Sequence, residues 1–196
     1  MTRSRNARLS RREMLGRLSA AAVAAPLVVR GAALGMDGAT PPSERITVGS
    51  IGVGMMGRGH FRIFAGYPDV QLLALCDVDS WRREHSTGVL QEVYGARQPS
   101  GQFQGFKAYN DFRELLDRDD IDAVIVVTGE RWHPEISVRA AKAGKDIYCE
   151  KPISLTIQQA RTMAETVRRH NCVFQTGLQQ RNSPEYLKAF EMVHAG

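Results

Sequence analysis

The chain has 196 residues, 43% hydrophobic and 24% charged, with a net charge of +5. That length holds one domain and part of another, and the composition is that of an ordinary globular protein able to bury a core. The surplus charge does not mark a nucleic-acid partner: residues 1–40 carry seven arginines against Glu13 and Asp37, while residues 41–196 balance, so the folded part has no excess charge to drive phosphate binding.

Residues 1–35 read as a targeting segment. Ser10-Arg11-Arg12-Glu13-Met14-Leu15-Gly16 resembles the twin-arginine export signal, with Met14 for Phe and Gly16 for Lys. The resemblance implies the twin-arginine translocation machinery as a partner and an exported, periplasmic or membrane-associated protein. The apolar stretch from Leu18 to Val29 is too short to span a bilayer. Cleavage after Ala32-Ala33 and persistence as an anchor both stay open. Residues 36–44 form a linker, turn-rich from Gly38 to Glu44. Cys76, Cys149 and Cys172 lack metal-ligand spacing and lie in or beside apolar runs, so buried thiols and no metal site are expected. Their odd number suits a protein that folds before export.

Residues 45–180 read as a dinucleotide-binding domain. Ile46-Thr-Val-Gly-Ser-Ile-Gly52-Val-Gly54-Met-Met-Gly57 is an apolar strand, a tight turn and the first turn of a helix. Gly52 lets the chain turn, Gly54 lets a pyrophosphate approach the backbone, and Gly57 lets the helix pack close to the strand. The N–H groups of Met55, Met56 and Gly57 then sit at the positive end of a helix, where an anion is stabilised. The helix runs from Met56 to about Gly66. A second strand, Val70 to Cys76, ends in Asp77, 20 residues beyond Gly57, the interval at which an acid reaches the adenosine ribose.

A helix from about Ser80 to Tyr94 follows, then a glycine- and glutamine-rich loop to Gly105. Phe106 to Tyr109 is a short strand, and Asp111-Phe-Arg-Glu114 is a capping box opening a short helix. Asp122 to Thr128 is continuously apolar, as for a strand buried on both faces. A helix from about Pro134 to Ala143 has Pro at its start and Gly144 past its end. Asp146 to Cys149 is a strand. Thr156 and Gln159 cap a helix to about His170, with Ile157, Ala160, Ala164 and Val167 on one face. Val173 to Thr176 is a strand, and Ser183-Pro184-Glu185 opens a last helix. The alternation predicts an α/β fold, a Rossmann-type doubly wound parallel sheet with right-handed crossovers.

In such sheets ligands bind beyond the strand C-termini. Besides the glycine loop, three stretches fall there: Thr128-Gly-Glu-Arg-Trp-His133, Glu150-Lys151-Pro152, and Gly177-Leu-Gln-Gln-Arg181. With them the chain from Arg45 to Gly196 resembles the glucose–fructose oxidoreductase / inositol dehydrogenase / MocA-like family. The most specific mark is Glu150-Lys151-Pro152, about a hundred residues beyond the glycine motif. The resemblance implies a nicotinamide-dependent oxidoreductase acting on a sugar, polyol or related hydroxy compound, homo-oligomeric when full length. It gives Lys151 the catalytic place beside the nicotinamide and the substrate hydroxyl. Pro152 restricts Lys151 to an extended backbone and helps aim it. A neighbouring nicotinamide cation disfavours a second positive charge, and Glu150 opposes that effect.

The cofactor contacts expected are Gly52, Gly54, Met55, Met56, Gly57, Asp77, Thr128, His133, Glu150, Lys151 and Arg181. Two readings stay open for His133, a ribose contact or a cap on the helix at Pro134. Arg181 reads as a substrate or cofactor contact or a surface ion pair, and Trp132 as cleft wall or packing. Asp77 favours NAD, since a carboxylate repels the 2′-phosphate of NADP; NADP is the alternative, with Arg82 or Arg83 reaching a phosphate. Family members run to about twice this length, and their β-sheet domain supplies an Asp and a His in D-x-x-x-H spacing. No such pattern follows residue 181. Residues 181–196 are therefore expected to begin a C-terminal α+β domain that is absent from this chain. Two other classes remain: an exported glycosidase using NAD for transient oxidation, and a non-catalytic cofactor-binding interaction module.

Overall fold

A computed structural model describes residues 40–95 and 106–196, and its folded unit is Pro42–Gly196. The segment read as an export signal and the glycine- and glutamine-rich loop lie outside the described residues. A 3₁₀ turn, Pro42–Glu44, leads into six strands: β1 (Ile46–Ile51), β2 (Val70–Cys76), β3 (Lys107–Tyr109), β4 (Ala123–Val126), β5 (Asp146–Glu150) and β6 (Phe174–Gly177). All pair parallel in the order β3-β2-β1-β4-β5-β6. The chain winds outward from β1 to β3, then returns to add β4 on the other side. This leaves a crevice above β1 and β4 at the carboxyl edge.

Helices cover both faces. α1 (Met55–Gly66) and α2 (Ser80–Gly95) lie on one; α3 (Phe112–Leu116), α4 (His133–Lys142) and α5 (Ile157–Arg169) lie on the other. The strands feed both cores by turns. Leu72, Leu75 and Ile125 pack with Phe61, Val89 and Leu90. Leu73, Val124 and Val126 pack with Leu115, Ile136 and Ala140. A strand buried on both sides has no polar alternation, which is why Val70–Cys76 and Ala123–Val126 are apolar runs. β1 is closely covered: a Cβ at Gly49 would fall 2.7 Å from Leu115 Cδ2.

The helix ends correct two details. Asp111 caps α3 through the Arg113 N–H (2.9 Å), not that of Glu114, so the expected box closes one residue early. That backbone bond is the first cause holding the Asp111 carboxyl below its ordinary value. Thr156 caps α5 through the Gln159 N–H (3.2 Å), and Gln159 Oε1 accepts from Leu155, one residue outside the cap. The buried side of α5 is Met163, Thr166 and Val167, whereas Ile157 and Ala164 are exposed. The apolar periodicity thus placed the stripe about one position off, because Thr166 buries its hydroxyl by donating to the Thr162 carbonyl (2.7 Å). α6 (Pro184–Ala195) buries none of its residues within this chain. No described helix is long and apolar enough to cross a membrane.

Cys76 and Cys149 are buried in strands, and Cys172 is half-buried. Burial first, then the neighbouring Asp77 charge, pushes the Cys76 thiol up to about 12; burial pushes Cys149 up to about 11. The thiolate is the reactive form. Iodoacetamide at mildly alkaline pH is therefore expected to leave Cys76 and Cys149 unmodified in the folded protein, and to alkylate all three in denaturant. Mass spectrometry of the peptides checks this.

Candidate cofactor cleft and lysine loop

The cleft is built on the turn between β1 and α1. Gly52 has φ +87°, and a Cβ there would lie 2.2 Å from the Val127 carbonyl oxygen. A Cβ on Gly57 would lie 2.0 Å from the Gly52 carbonyl oxygen. Both positions therefore need glycine for close backbone approach, and Gly52 also for its positive φ. Gly54, the N-cap of α1, differs: a Cβ there would meet only the Arg82 guanidinium, at 3.6 Å, and would fill open space in the cleft. The first N–H groups of α1, on Met55, Met56 and Gly57, have no acceptor one turn back in the helix and form its positive end. An open cradle, helix N–H donors and an arginine are a donor set that fits a pyrophosphate.

Asp77 stands at the end of β2 and is buried. Its Oδ2 accepts from the Val53 N–H (2.9 Å) and its Oδ1 from Asp79 N–H (3.0 Å). Each carboxylate oxygen retains a lone pair for a ribose hydroxyl. The two arginines divide. Arg83 Nη1 donates to the Asp77 carbonyl (2.7 Å) and to Asn110 Oδ1 (2.9 Å), so it is spent on holding the end of β2. Arg82 faces the cleft, with Asp79 3.6 Å away in an exposed pair. A recess of about 430 Å³ runs from Asp77 past Gly52 and Gly54 to Thr128 and Trp132. A second recess adjoins it, lined by Met55, Met56 and Gly57 on one side and by Thr128, Glu150 and Lys151 on the other. Lys151 is thus beside the first turn of α1, and it is exposed.

His133 is not the cap of the helix at Pro134. It is the first residue of α4, it makes no cap, and Trp132 occupies the N-cap position without a side-chain cap bond. Its ring is 1% exposed, with Nδ1 2.7 Å from the Pro152 carbonyl and Nε2 3.0 Å from the Thr128 carbonyl. Each ring nitrogen faces a backbone carbonyl, and the ring N–H donates to one of them, so the ring sits between the loop after β4 and the loop after β5. Arg181 lies exposed in the 3₁₀ turn Gln179–Asn182, outside both recesses, and makes no ion pair among the described residues. From the same turn Gln179 reaches Met56, with Nε2 3.5 Å from the sulfur.

Two participants escaped the reading of the sequence. His60, buried on α1, has Nε2 2.8 Å from Glu150 Oε1. An ionised carboxylate only accepts, so Nε2 carries the proton. Glu150 Oε2 accepts from the Lys151 N–H at 3.1 Å. Gly177, at the end of β6, makes room for this pair: a Cβ there would sit 2.6 Å from Glu150 Oε1 and 2.8 Å from the Tyr148 hydroxyl. Burial, and next the Glu150 charge, push the Tyr148 phenol up. The signal for His60 was its position three residues past Gly57, on the α1 face turned toward the sheet.

Residues 46–178 match the Gfo/Idh/MocA family, described as an oxidoreductase family with an NAD-binding Rossmann fold. A glycosyl hydrolase family 109 protein of Shewanella pealeana is 33% identical over 135 residues, 68% of this chain and 29% of that protein. A myo-inositol 2-dehydrogenase of Thermotoga maritima is 31% identical over 149 residues, 76% of this chain and 41% of that protein. The crystal structure of scyllo-inositol dehydrogenase from Lactobacillus casei, with bound NAD(H) and scyllo-inositol, superposes with a TM-score of 0.65 at 26% identity, over 78% of this chain and 42% of that one. The chain therefore spans well under half the length of these relatives.

The Asp77–Val53 bond gives a prediction that needs no ligand. Asp77→Ala leaves a buried N–H without an acceptor and is expected to cost about 1–3 kcal/mol. Asp77→Asn, which keeps an acceptor, is expected to cost less. Urea unfolding of the two variants beside wild type checks the difference.

Proposed function

The chain belongs to the Gfo/Idh/MocA oxidoreductase family, and from that premise we propose that the whole protein is an NAD-dependent dehydrogenase of a sugar, polyol or related hydroxy compound, with this chain as its cofactor half. The observation that carries the proposal is the recess shared by Lys151 and the first turn of α1. NAD, when bound, supplies the hydride acceptor. The N–H groups of Met55, Met56 and Gly57, with Arg82, hold the pyrophosphate, and Asp77 holds the adenosine ribose. Asp77 also repels a 2′-phosphate, which favours NAD over NADP, while Arg82 is the group that would accommodate NADP. Lys151 holds the substrate hydroxyl and takes its proton as the carbon gives up hydride.

A positioned acid–base group accelerates a reaction about 10²–10⁴-fold. Lys151→Ala in the whole protein is expected to slow NADH formation by that factor, with NAD affinity little changed. Myo-inositol is a suitable first probe, since a relative is named for it. Equal losses of rate and affinity would assign Lys151 to cofactor anchoring instead.

The relatives named glycosyl hydrolase family 109 favour a second reading, glycoside cleavage with no net redox. An aryl glycoside separates the two. Release of the aglycone without accumulation of NADH selects the hydrolase, and NADH formed in step with polyol consumed selects the dehydrogenase.

The proposal includes export by the twin-arginine route, from Arg11-Arg12 ahead of the Leu18–Val29 stretch. Changing both arginines to Lys is expected to leave folded protein in the cytoplasm. Continued export after cell fractionation would overturn this part.

A further inference from the structure

Glu150 is 3% exposed, yet it ends the strand that delivers Lys151. A carboxylate taken out of water is unfavourable unless its oxygens are hydrogen-bonded. Here each oxygen has one partner: His60 Nε2 on Oε1 at 2.8 Å and the Lys151 N–H on Oε2 at 3.1 Å. The carboxylate is planar, so the direction of one oxygen sets that of the other. Where His60 holds Oε1, it also sets the point at which Oε2 receives the Lys151 N–H.

The neighbours remove the alternatives. Gly177 gives Oε1 its space from β6, and any Cβ there would enter it. The Tyr148 ring, 5.4 Å from the His60 ring between centroids, closes the β5 side. A buried polar pair is seldom the most stabilising filling for such a site, and packed apolar residues serve as well. This pair also joins two parts of the cleft. His60 belongs to the helix whose first turn forms the pyrophosphate cradle, and Glu150 adjoins the lysine.

We propose that His60 is a positioning residue for Lys151, acting through Glu150 to hold the lysine loop in register with the first turn of α1. The proposal deepens the dehydrogenase reading and rests on it for the importance of Lys151. It assigns no contact between His60 and substrate or cofactor.

The test reads the lysine directly. Whole protein is treated briefly with a lysine-selective acylating reagent, and the modification rate at Lys151 is followed by peptide mass spectrometry, with Lys107 and Lys188 as internal references. NAD affinity is titrated in parallel. His60→Leu is expected to change the Lys151 rate by about tenfold, the size of one hydrogen bond to a charged group, with NAD affinity unchanged. His60→Gln, which keeps an N–H donor near the place of Nε2, is expected to restore it. Gly177→Ala displaces the carboxylate from the opposite side, is expected to change the rate in the same sense, and decides the matter if His60→Leu does not fold. An unchanged Lys151 rate overturns the proposal. So does loss of NAD affinity in step with the rate, or failure of Gln to restore it, since either marks a structural pair. The dehydrogenase reading fails separately, if Lys151→Ala retains full hydride transfer.

Discussion

The domain depends on one close approach, that of Gly57 to the carbonyl oxygen of Gly52. No side chain fits where the two backbones meet, since a Cβ would lie 2.0 Å from that oxygen. The approach fixes the start of α1 over the end of β1. The same turn hands the Gly52 N–H to the Cys76 carbonyl at 2.8 Å and the Val53 N–H to Asp77. Three elements are thereby locked at the carboxyl edge of the sheet by backbone groups and the one Asp77 carboxylate. A cradle made of main-chain donors loses little entropy when a ligand arrives, because its parts are already held.

The described cleft is divided chemically along its length. At the β2 end a buried carboxylate takes one chain N–H on each oxygen and keeps acceptor capacity toward the cleft. At the turn there are only N–H groups and one arginine. At the β5 end a lysine stands exposed above a buried acid. The gradient suits a long ligand with hydroxyls at one end, an anion in the middle and a reactive ring at the other. Arg82 and Arg83 show how little sequence neighbours need share. One lies along the cleft, and the other is bound to the Asp77 carbonyl and Asn110.

The sheet was legible in the sequence because parallel strands buried on both faces write themselves as apolar runs, and the glycine motif adds its own spacing. Val70–Cys76 and Ala123–Val126 carry that signature directly. The positions of Asp77 and Lys151 at strand ends followed from the same pattern. What escaped depends on side chains that meet only after folding. His60 and Glu150 are 90 residues apart in the chain, and no local periodicity links them. His133, beside Pro134, reads from sequence as a ribose contact or a cap, but it is already helical and its ring faces two carbonyls from separate loops. The stripe on α5 was misplaced because a buried threonine satisfies its own hydroxyl within the helix, which an apolar count does not register.

The space beside Gly177 also bears on how such a site can change over time. A methyl group there must displace the Glu150 carboxylate or the Tyr148 hydroxyl, and a displaced or shorter acid no longer meets the ring of His60 in the same place. Each single replacement meets a neighbour still shaped for the old residue, so each is disfavoured until the others have occurred. Positions 60, 150 and 177 are in this sense one inherited character spread over a helix and two strands. Lineages are expected to keep the trio intact or to exchange it whole, save for a change at 60 that keeps an N–H donor in the same place.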